Sequence, residues 1–303
     1  MKHDTSNIDQ AAVAVPSRPP DAAPPALLFE MMRSFVTLAK TLNLSHAIIE
    51  LNSTRQTLRR HIALLEELRG GALFEVIDRR YSLSPLGKAI LPEAQNIVDL
   101  STAWLNGEAE QIGGLQVLRN ERPDGGFFYQ QQHPVDRAFS SSGDMLRSVI
   151  AGWSQAQGQL EHDALRAVRP LCNIFRRAHG SLIFTEVGAL SSFVSWFGRD
   201  LAQSTIARPI SQMPGGDGFG RLVDMAYGEV ECTHSIRLDH VHASIPKAGE
   251  DELVPISYER LILGARFPDQ SPAIISVVRR TYDIEIKGVS EEMIRKMPED
   301  CLM

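Results

Sequence analysis

The residues best suited to chemistry form a basic cluster between positions 53 and 80. Arginine side chains bind phosphate oxygens, and arginine and glutamine also hydrogen-bond to base edges in the major groove of DNA. These residue types occur together at the start of one predicted helix and at the tip of a predicted hairpin. The cluster therefore predicts binding to double-stranded DNA. Its candidate contact residues are Ser53, Thr54, Arg55, Gln56, Arg59, Arg60, Arg79 and Arg80.

Two short helices joined by a turn position the first part of this cluster. Ala47 and Leu51 predict the apolar face of the first helix, and residues 52–54 interrupt it with side chains that prefer turns and helix N-termini. Beyond Thr54, apolar residues recur at helical spacing, and the arginines fall on the opposite face together with His61. This pattern predicts a helix-turn-helix. The predicted core residues of its second helix are Leu58, Ile62, Leu65 and Leu68.

A short hairpin is predicted directly after the second helix. The pair Gly70-Gly71 ends the helix, and Leu73-Phe74 returns to the core. The turn Asp78-Arg79-Arg80 then leads into Tyr81-Ser82-Leu83. This hairpin would form a wing with two arginines at its tip.

The chain from about Met32 to about Leu91 resembles the N-terminal winged helix-turn-helix of LysR-type bacterial transcription regulators, in a register without a gap. The resemblance implies a sequence-specific DNA-binding transcription regulator. The matching residues are Phe35, Leu38-Ala39, Ser45, Ala47, Leu51, Leu58, Arg60, Ile62, Leu65-Glu66, Gly70, Leu73-Phe74-Glu75, Arg80, Leu83-Ser84 and Gly87.

Two positions depart from the pattern of that family. Residues 54–57 stand where the family usually has small residues and a proline, which suggests a different base preference. Val76 stands where the family usually has an arginine, which removes one expected contact with the DNA backbone. The altered helix start leaves an alternative open: a protein-interaction module that pairs with other regulators without binding DNA itself.

A further helix is predicted to continue to about Asn106, with Pro92 inside it. In LysR-type regulators the equivalent helix pairs two subunits, so the resemblance implies a homodimer or a higher homo-oligomer. Trp104 and Leu105 are the candidates for that contact, although an apolar helix face also packs on its own domain.

The fold predicted for the 303 residues is α+β, with two folded regions and connecting segments. An all-α winged helix-turn-helix with a linker helix is expected first, and an antiparallel sheet with helices second. The predicted segments are a disordered tail at 1–26, the DNA-binding domain at 27–91, a linker helix and loop region at 92–142, a long connecting helix at 143–179, a sensor or dimerisation domain at 180–288 and a C-terminal tail at 289–303.

A strand or hairpin flanked by mobile loops is predicted at 107–142. One strand, short helices and three β-rich runs then follow one another between positions 181 and 282, and the β-rich runs are Val230–Leu238, Ile256–Phe267 and Ala273–Tyr282. This order, with the segment Trp196–Leu201, resembles a PAS sensor domain over about residues 171–286. The resemblance implies a pocket for a small-molecule effector of unknown identity, while the same apolar residues also suit a plain core. The predicted ligand contacts are Phe193, Trp196, Phe197, Met225 and Tyr227.

Composition limits the remaining function classes. The net charge of −6 means that a basic DNA-binding surface must be local. There is no GxSxG, Walker A or HExxH motif, so a regulator is expected rather than an enzyme. No window has the apolar length of a transmembrane helix, and the expected location is the cytoplasm, at the bacterial nucleoid.

No metal site is predicted. Cys172, Cys232 and Cys301 show no CxxC pairing or zinc-type spacing. His240 and His242 fall on one face of a predicted strand, but no complete set of ligands accompanies them.

Overall fold

The computed structural model describes residues 25–77, 80–140, 143–178, 181–212, 216–247 and 252–303. The chain divides into two compact units, Met1–Gln95 and Asn96–Met303. The predicted tail at 1–26 lies outside the described residues except for its last two positions. A mainly helical N-terminal unit is followed by a unit with a large antiparallel sheet and helices, which confirms the predicted α+β class.

The first unit is a small helical domain with a two-stranded wing. Its core forms where the apolar faces of the helices meet, and Phe35, Leu58 and Leu73 are completely buried there. The last helix, α4, continues into the second unit. The elements are α1 (Leu28–Thr41), α2 (Leu44–Glu50), α3 (Arg55–Arg69), β1 (Phe74–Ile77), β2 (Arg80–Leu83) and α4 (Pro85–Leu105).

Side-chain caps fix where the two central helices begin. The Asn43 side chain accepts hydrogen bonds from the backbone N–H groups of Ser45 and His46 at the start of α2. The Thr54 hydroxyl accepts one from the Thr57 N–H at 3.1 Å at the start of α3. These caps satisfy amide groups that have no partner within the helix, and the Thr54 cap confirms the predicted start of the second helix of the motif.

The second unit is built on one eight-stranded sheet in the order β3-β4-β5-β8-β9-β10-β6-β7, with every neighbouring pair antiparallel. The strands are β3 (Ala109–Ile112), β4 (Leu115–Glu121), β5 (Phe127–His133), β6 (Asn173–Ala178), β7 (Ser181–Val187), β8 (Ile236–Pro246), β9 (Leu253–Arg266) and β10 (Pro272–Arg280). The helices are α5 (Arg137–Ser140), α6 (Asp144–Gln155), α7 (Ser192–Phe197), α8 (Arg199–Thr205), α9 (Gly216–Thr233) and α10 (Glu291–Ile294).

Helices cover both faces of this sheet. Ile256, Tyr258 and Ile262 of β9 face a core shared with α7 and α9. Leu261 and Leu263 face the opposite core, which α6 completes. Because alternate residues of β9 enter different cores, the strand is buried along most of its length.

Two sequence predictions for this unit are wrong. The expected helix at 143–179 ends at Gln155, and 3-10 turns and β6 follow it. The β-rich run expected from Val230 begins within α9. The region at 107–142, where a strand or hairpin with flanking loops is expected, contains β3, β4 and β5 of the main sheet. Apolar residues spaced as in a helix, such as Leu165, Val168 and Ile174, instead enter one core from turns and a strand.

The predicted C-terminal tail is also part of the fold. Ile294, Met297 and Cys301 are buried, and the Ser257 N–H donates to the Met297 sulfur at 3.2 Å. The segment after β10 therefore packs against β9.

Candidate nucleic-acid interface

The N-terminal turn of α3 carries most of the predicted DNA contacts. Leu58, Ile62 and Leu65 are buried on one side of α3 and fix how the helix is rotated. Because of that rotation, the predicted contact residues of α3 lie on the solvent side. Ser53 is half-buried, and the exposed residues are Thr54, Arg55, Gln56, Arg59 and Arg60.

The charge at this end of α3 is not neutralised. Arg55, Arg59 and Arg60 form no ion pair with any residue that the structure describes. The helix dipole adds partial positive charge at the same end. The acidic residues of α3 lie near its other end, where the Glu66 carboxylate accepts a hydrogen bond from the Leu73 N–H at 2.8 Å. The exposed start of α3 is therefore suited to a polyanion.

The wing follows α3 as an antiparallel pair in which Ile77 lies opposite Arg80. Arg80 is exposed, while Arg79 lies outside the described residues. The base of the wing is fixed at Ser84, whose hydroxyl accepts a hydrogen bond from the Gly87 N–H at 2.9 Å. A Cβ atom at Gly87 would lie 2.1 Å from the Leu73 carbonyl oxygen, so this contact requires glycine.

Two side chains of α3 differ from their predicted positions. His61 is buried rather than solvated, since it packs against α1. Its Nδ1 atom lies 2.8 Å from the Ser34 hydroxyl of that helix. Leu68 is 36% exposed and lies at the edge of the core. Neither change affects the polar surface at the N-terminus of the helix.

The C-terminal part of α4 carries an exposed apolar stripe. Ile97, Trp104 and Leu105 recur at helical spacing and are 41%, 71% and 76% exposed. A tryptophan and a leucine exposed side by side on one helix form a surface suited to another protein chain. The two residues proposed from the sequence for subunit pairing are thus accessible.

A cavity of about 120 Å³ lies between the sheet and the helices of the second unit. The predicted ligand contacts Phe193, Trp196, Phe197 and Tyr227 all line it. Met225 is buried in the adjoining core and is not among the lining residues. Five further lining residues are not predicted from the sequence. They come from strands, where a period-two pattern could have placed them on one face. These are Asn173, Phe175, Tyr258, Arg260 and Ser276.

A buried ionic cluster lies at the sheet end of this cavity. Arg260 of β9 lies opposite Asp239 of β8, and its Nη2 donates to the carboxylate at 2.9 Å. Burial lowers the pKa of Arg260, but Asp239, Tyr227 and Tyr258 together raise it, and the net shift is upward. Burial also raises the pKa of Tyr227 and Tyr258. Arg260 is therefore charged and both phenols are neutral near pH 7.

The strand histidines have structural partners. The His242 Nδ1 atom lies 2.8 Å from the Ser257 hydroxyl, and the Glu285 N–H donates to the His240 Nδ1 at 2.8 Å. Across the described ranges, no three His, Cys, Asp or Glu side chains come together as metal ligands would. Within those same ranges, no helix has the length and hydropathy needed to span a membrane.

Comparison with known proteins gives a match at the first unit. Residues 29–88 match the family described as bacterial regulatory helix-turn-helix protein, lysR family. No curated protein matches the sequence significantly.

Two solved structures are similar over about a quarter of the chain. Oxidized OxyR from Corynebacterium glutamicum is 25% identical, over 29% of this chain and 26% of that one, with a TM-score of 0.27. A complex of the CbnR DNA-binding domain with DNA is 25% identical, over 26% of this chain and 91% of that one, with a TM-score of 0.25. The chain spans about a quarter of the length of the OxyR structures that it matches. The family match alone identifies residues 29–88 as a bacterial regulatory helix-turn-helix of the lysR family.

Proposed function

We propose that the protein is a sequence-specific DNA-binding transcription regulator with α3 as its recognition helix. The observation that carries this proposal is the exposed, unneutralised arginine surface at the capped start of α3, within a helix-turn-helix of the lysR family. A recognition helix reads bases with its N-terminal side chains, while the surrounding elements contact the phosphate backbone. A regulator of this kind acts in the bacterial cytoplasm.

The contacts divide into two groups. Thr54, Arg55, Gln56 and Arg59 approach base edges in the major groove, with Ser53 beside them, since they lie on the first turns of α3. The contacts of Arg60, Arg79 and Arg80 are with phosphates or the minor groove, since these residues flank that surface or form the wing.

The regulator binds as a homodimer through the α4 stripe. Ile97, Trp104 and Leu105 lose exposed apolar area when two such helices pair. Pairing places two recognition helices about one helical turn of DNA apart, and it multiplies two weak half-site affinities. The operator is therefore an inverted repeat.

A small molecule that binds to the PAS-like second unit regulates the protein. Support comes from the sheet, in which β7-β6-β10-β9-β8 form consecutive strands, and from α7, α8 and α9, which lie between β7 and β8 in the chain. The cavity between them is lined by four of the aromatic residues proposed from the sequence, which are Phe193, Trp196, Phe197 and Tyr227.

The experiment is selection of random duplex DNA by the purified full-length protein near physiological salt, followed by sequencing. Enrichment of an inverted repeat with half-sites about one helical turn apart is expected. An Arg55→Ala, Arg59→Ala double variant is the matched control, and it should enrich no such repeat. A folded, dimeric protein that enriches no sequence would contradict the proposal and favour a module that acts by pairing with other regulators.

A further inference from the structure

We propose that the cavity of the second unit binds an uncharged, single-ring aromatic molecule with a polar substituent, of which phenol is the simplest. This inference deepens the proposed sensing role of that unit by naming a class of ligand. Four properties of the cavity carry it: its size, its aromatic walls, its polar atoms without a partner among the described residues, and its charge balance.

The size of the cavity restricts the ligand to one ring. Its volume is about 120 Å³. An engineered apolar protein cavity of roughly 150 Å³ holds one benzene molecule. A single ring is therefore the size of ligand that this volume matches.

The walls favour a flat, apolar body. Phe175 and Phe184 lie with ring centroids 4.5 Å apart, and Phe184 and Phe193 with centroids 5.2 Å apart. The indole N–H of Trp196 already donates to the Pro246 carbonyl at 3.0 Å, so its ring is left for apolar contact. Aromatic side chains from the sheet and α7 thus surround the space, and a further aromatic ring makes edge and stacking contacts with them.

Two polar atoms of the lining lack a partner. Asn173 is 8% exposed, and its side-chain oxygen accepts no hydrogen bond from the described residues. Arg260 is 2% exposed, and its Nε–H donates none to them. A buried polar group without a hydrogen bond is unfavourable, so a ligand that supplies one donor and one acceptor is favoured. A phenolic hydroxyl group can act as a donor and as an acceptor at the same time.

The charge balance excludes an ionised ligand. Arg260 is the one lining residue that is charged near pH 7 among those described. Asp239 is shared by Arg260 and Arg237, and Glu229 pairs with Arg237 as well, so two carboxylates balance two guanidinium groups. An added buried carboxylate would have no counter-charge.

The test is calorimetric titration of the full-length protein, without DNA, with phenol, toluene and benzoate. Toluene has the more favourable free energy of transfer out of water. Phenol should nevertheless bind at least as tightly, because Asn173 and Arg260 form hydrogen bonds with its hydroxyl group. Benzoate should bind at least about tenfold more weakly than phenol. No binding of phenol, tighter binding of benzoate, or about tenfold tighter binding of toluene would overturn the proposal.

Two kinds of variant separate the polar site from the walls. Asn173→Ala removes the amide oxygen and adds no volume to the cavity, so it should weaken the binding of phenol about tenfold and that of toluene less than about twofold. Val223→Phe fills the cavity and should abolish binding of both, whereas Leu190→Phe, at a position that is 64% exposed, should leave both unchanged. If Val223→Phe does not fold, Ser192→Phe fills the same space from α7.

Equal losses of phenol and toluene binding in Asn173→Ala, or binding that survives both filling variants, would place the ligand elsewhere and overturn the proposal. Because no DNA is present in the titration, its failure leaves the DNA-binding proposal standing. A protein that binds phenol but selects no DNA would sink only the latter.

Discussion

Arginines serve two opposite roles in the two units of this chain. Those at the start of α3, such as Arg55 and Arg59, are exposed and form no ion pair with a described residue. Those in the sheet, such as Arg237 and Arg260, are almost completely buried, and both pair with Asp239. An exposed arginine without a partner is available to a phosphate or a base, whereas a buried arginine is satisfied inside the protein.

The contrast predicts where each arginine matters. Exposed arginines contribute little to stability but much to binding, because water screens their charge until a polyanion arrives. Buried arginines need their carboxylates, because a charge left unpaired in the interior is strongly unfavourable. Binding and stability should therefore be affected by different substitutions.

The largest effect is expected when a buried pair is broken. Asp239→Ala leaves Arg237 and Arg260 without their shared carboxylate, and it should lower the free energy of unfolding by about 3–5 kcal/mol. Urea denaturation measures this loss. The matched control is Asp163→Ala, whose pair with Arg166 is 2.8 Å long and 84% exposed on both sides, and its loss should stay below about 1 kcal/mol. Equal losses in the two variants would contradict the contrast.

Acid should destabilise the folded protein through two buried histidines of the sheet. Burial lowers the pKa of His133 and of His242 from 6.5 to about 4. Between these pH values the unfolded chain binds protons that the folded protein does not bind. The free energy of unfolding therefore falls as the pH drops from 6.5 to about 4.

The expected loss from His242 is about 3 kcal/mol at about pH 4, and His133 adds to it in the same direction. Urea denaturation of the unchanged protein and of His242→Gln across this range measures it. The stability curves should converge as the pH falls, because the variant has one fewer histidine to protonate. Parallel curves would show that His242 is not held neutral.

The helix cap should have a smaller effect, on the first unit. Thr54→Ala removes the acceptor for the Thr57 N–H and should lower the free energy of unfolding by about 1 kcal/mol. Thr54→Ser keeps a hydroxyl at the same place and should retain most of that stability. If both variants lose the same amount, the methyl group of Thr54, rather than its cap, stabilises the helix start.

The smallest effect is expected at the wing. Arg80→Ala should weaken binding to every duplex evenly and reduce the slope of log affinity against log salt by about 1. Arg166→Ala, which removes an exposed arginine from the second unit, is the control and should leave the slope unchanged. A changed base preference in Arg80→Ala would mean that the wing reads sequence.

Local patterns in the sequence predicted the first unit well. Thr54 followed by Leu58, Ile62 and Leu65 specifies a capped amphipathic helix, and this signal lies within one stretch of chain. His61 could not be placed in this way, because its burial depends on Ser34 of another helix. The periodicity of apolar residues within one element does not show which residues of other elements it will contact.

The second unit was harder for a physical reason. A strand with helices on both sides is buried on both faces, so the sequence of β6 lacks the alternation of a half-exposed strand. The spacing of its apolar residues predicts a helix instead. Cavity residues such as Phe193 and Trp196 were found because aromatic side chains stand out in α7. Asn173 and Arg260 were missed because pairing of β6 and β9 with β10 brings them to the same cavity.

The most direct test of the central claim is a binding titration of Arg55→Ala and Arg59→Ala, on the selected duplex and on its single-base variants. We expect discrimination at one base pair per half-site to relax by about 1–3 kcal/mol in each variant. The free energy of unfolding should change by no more than about 0.5 kcal/mol. If both variants keep the affinity and the base preference of the unchanged protein, α3 does not read DNA and the account is contradicted.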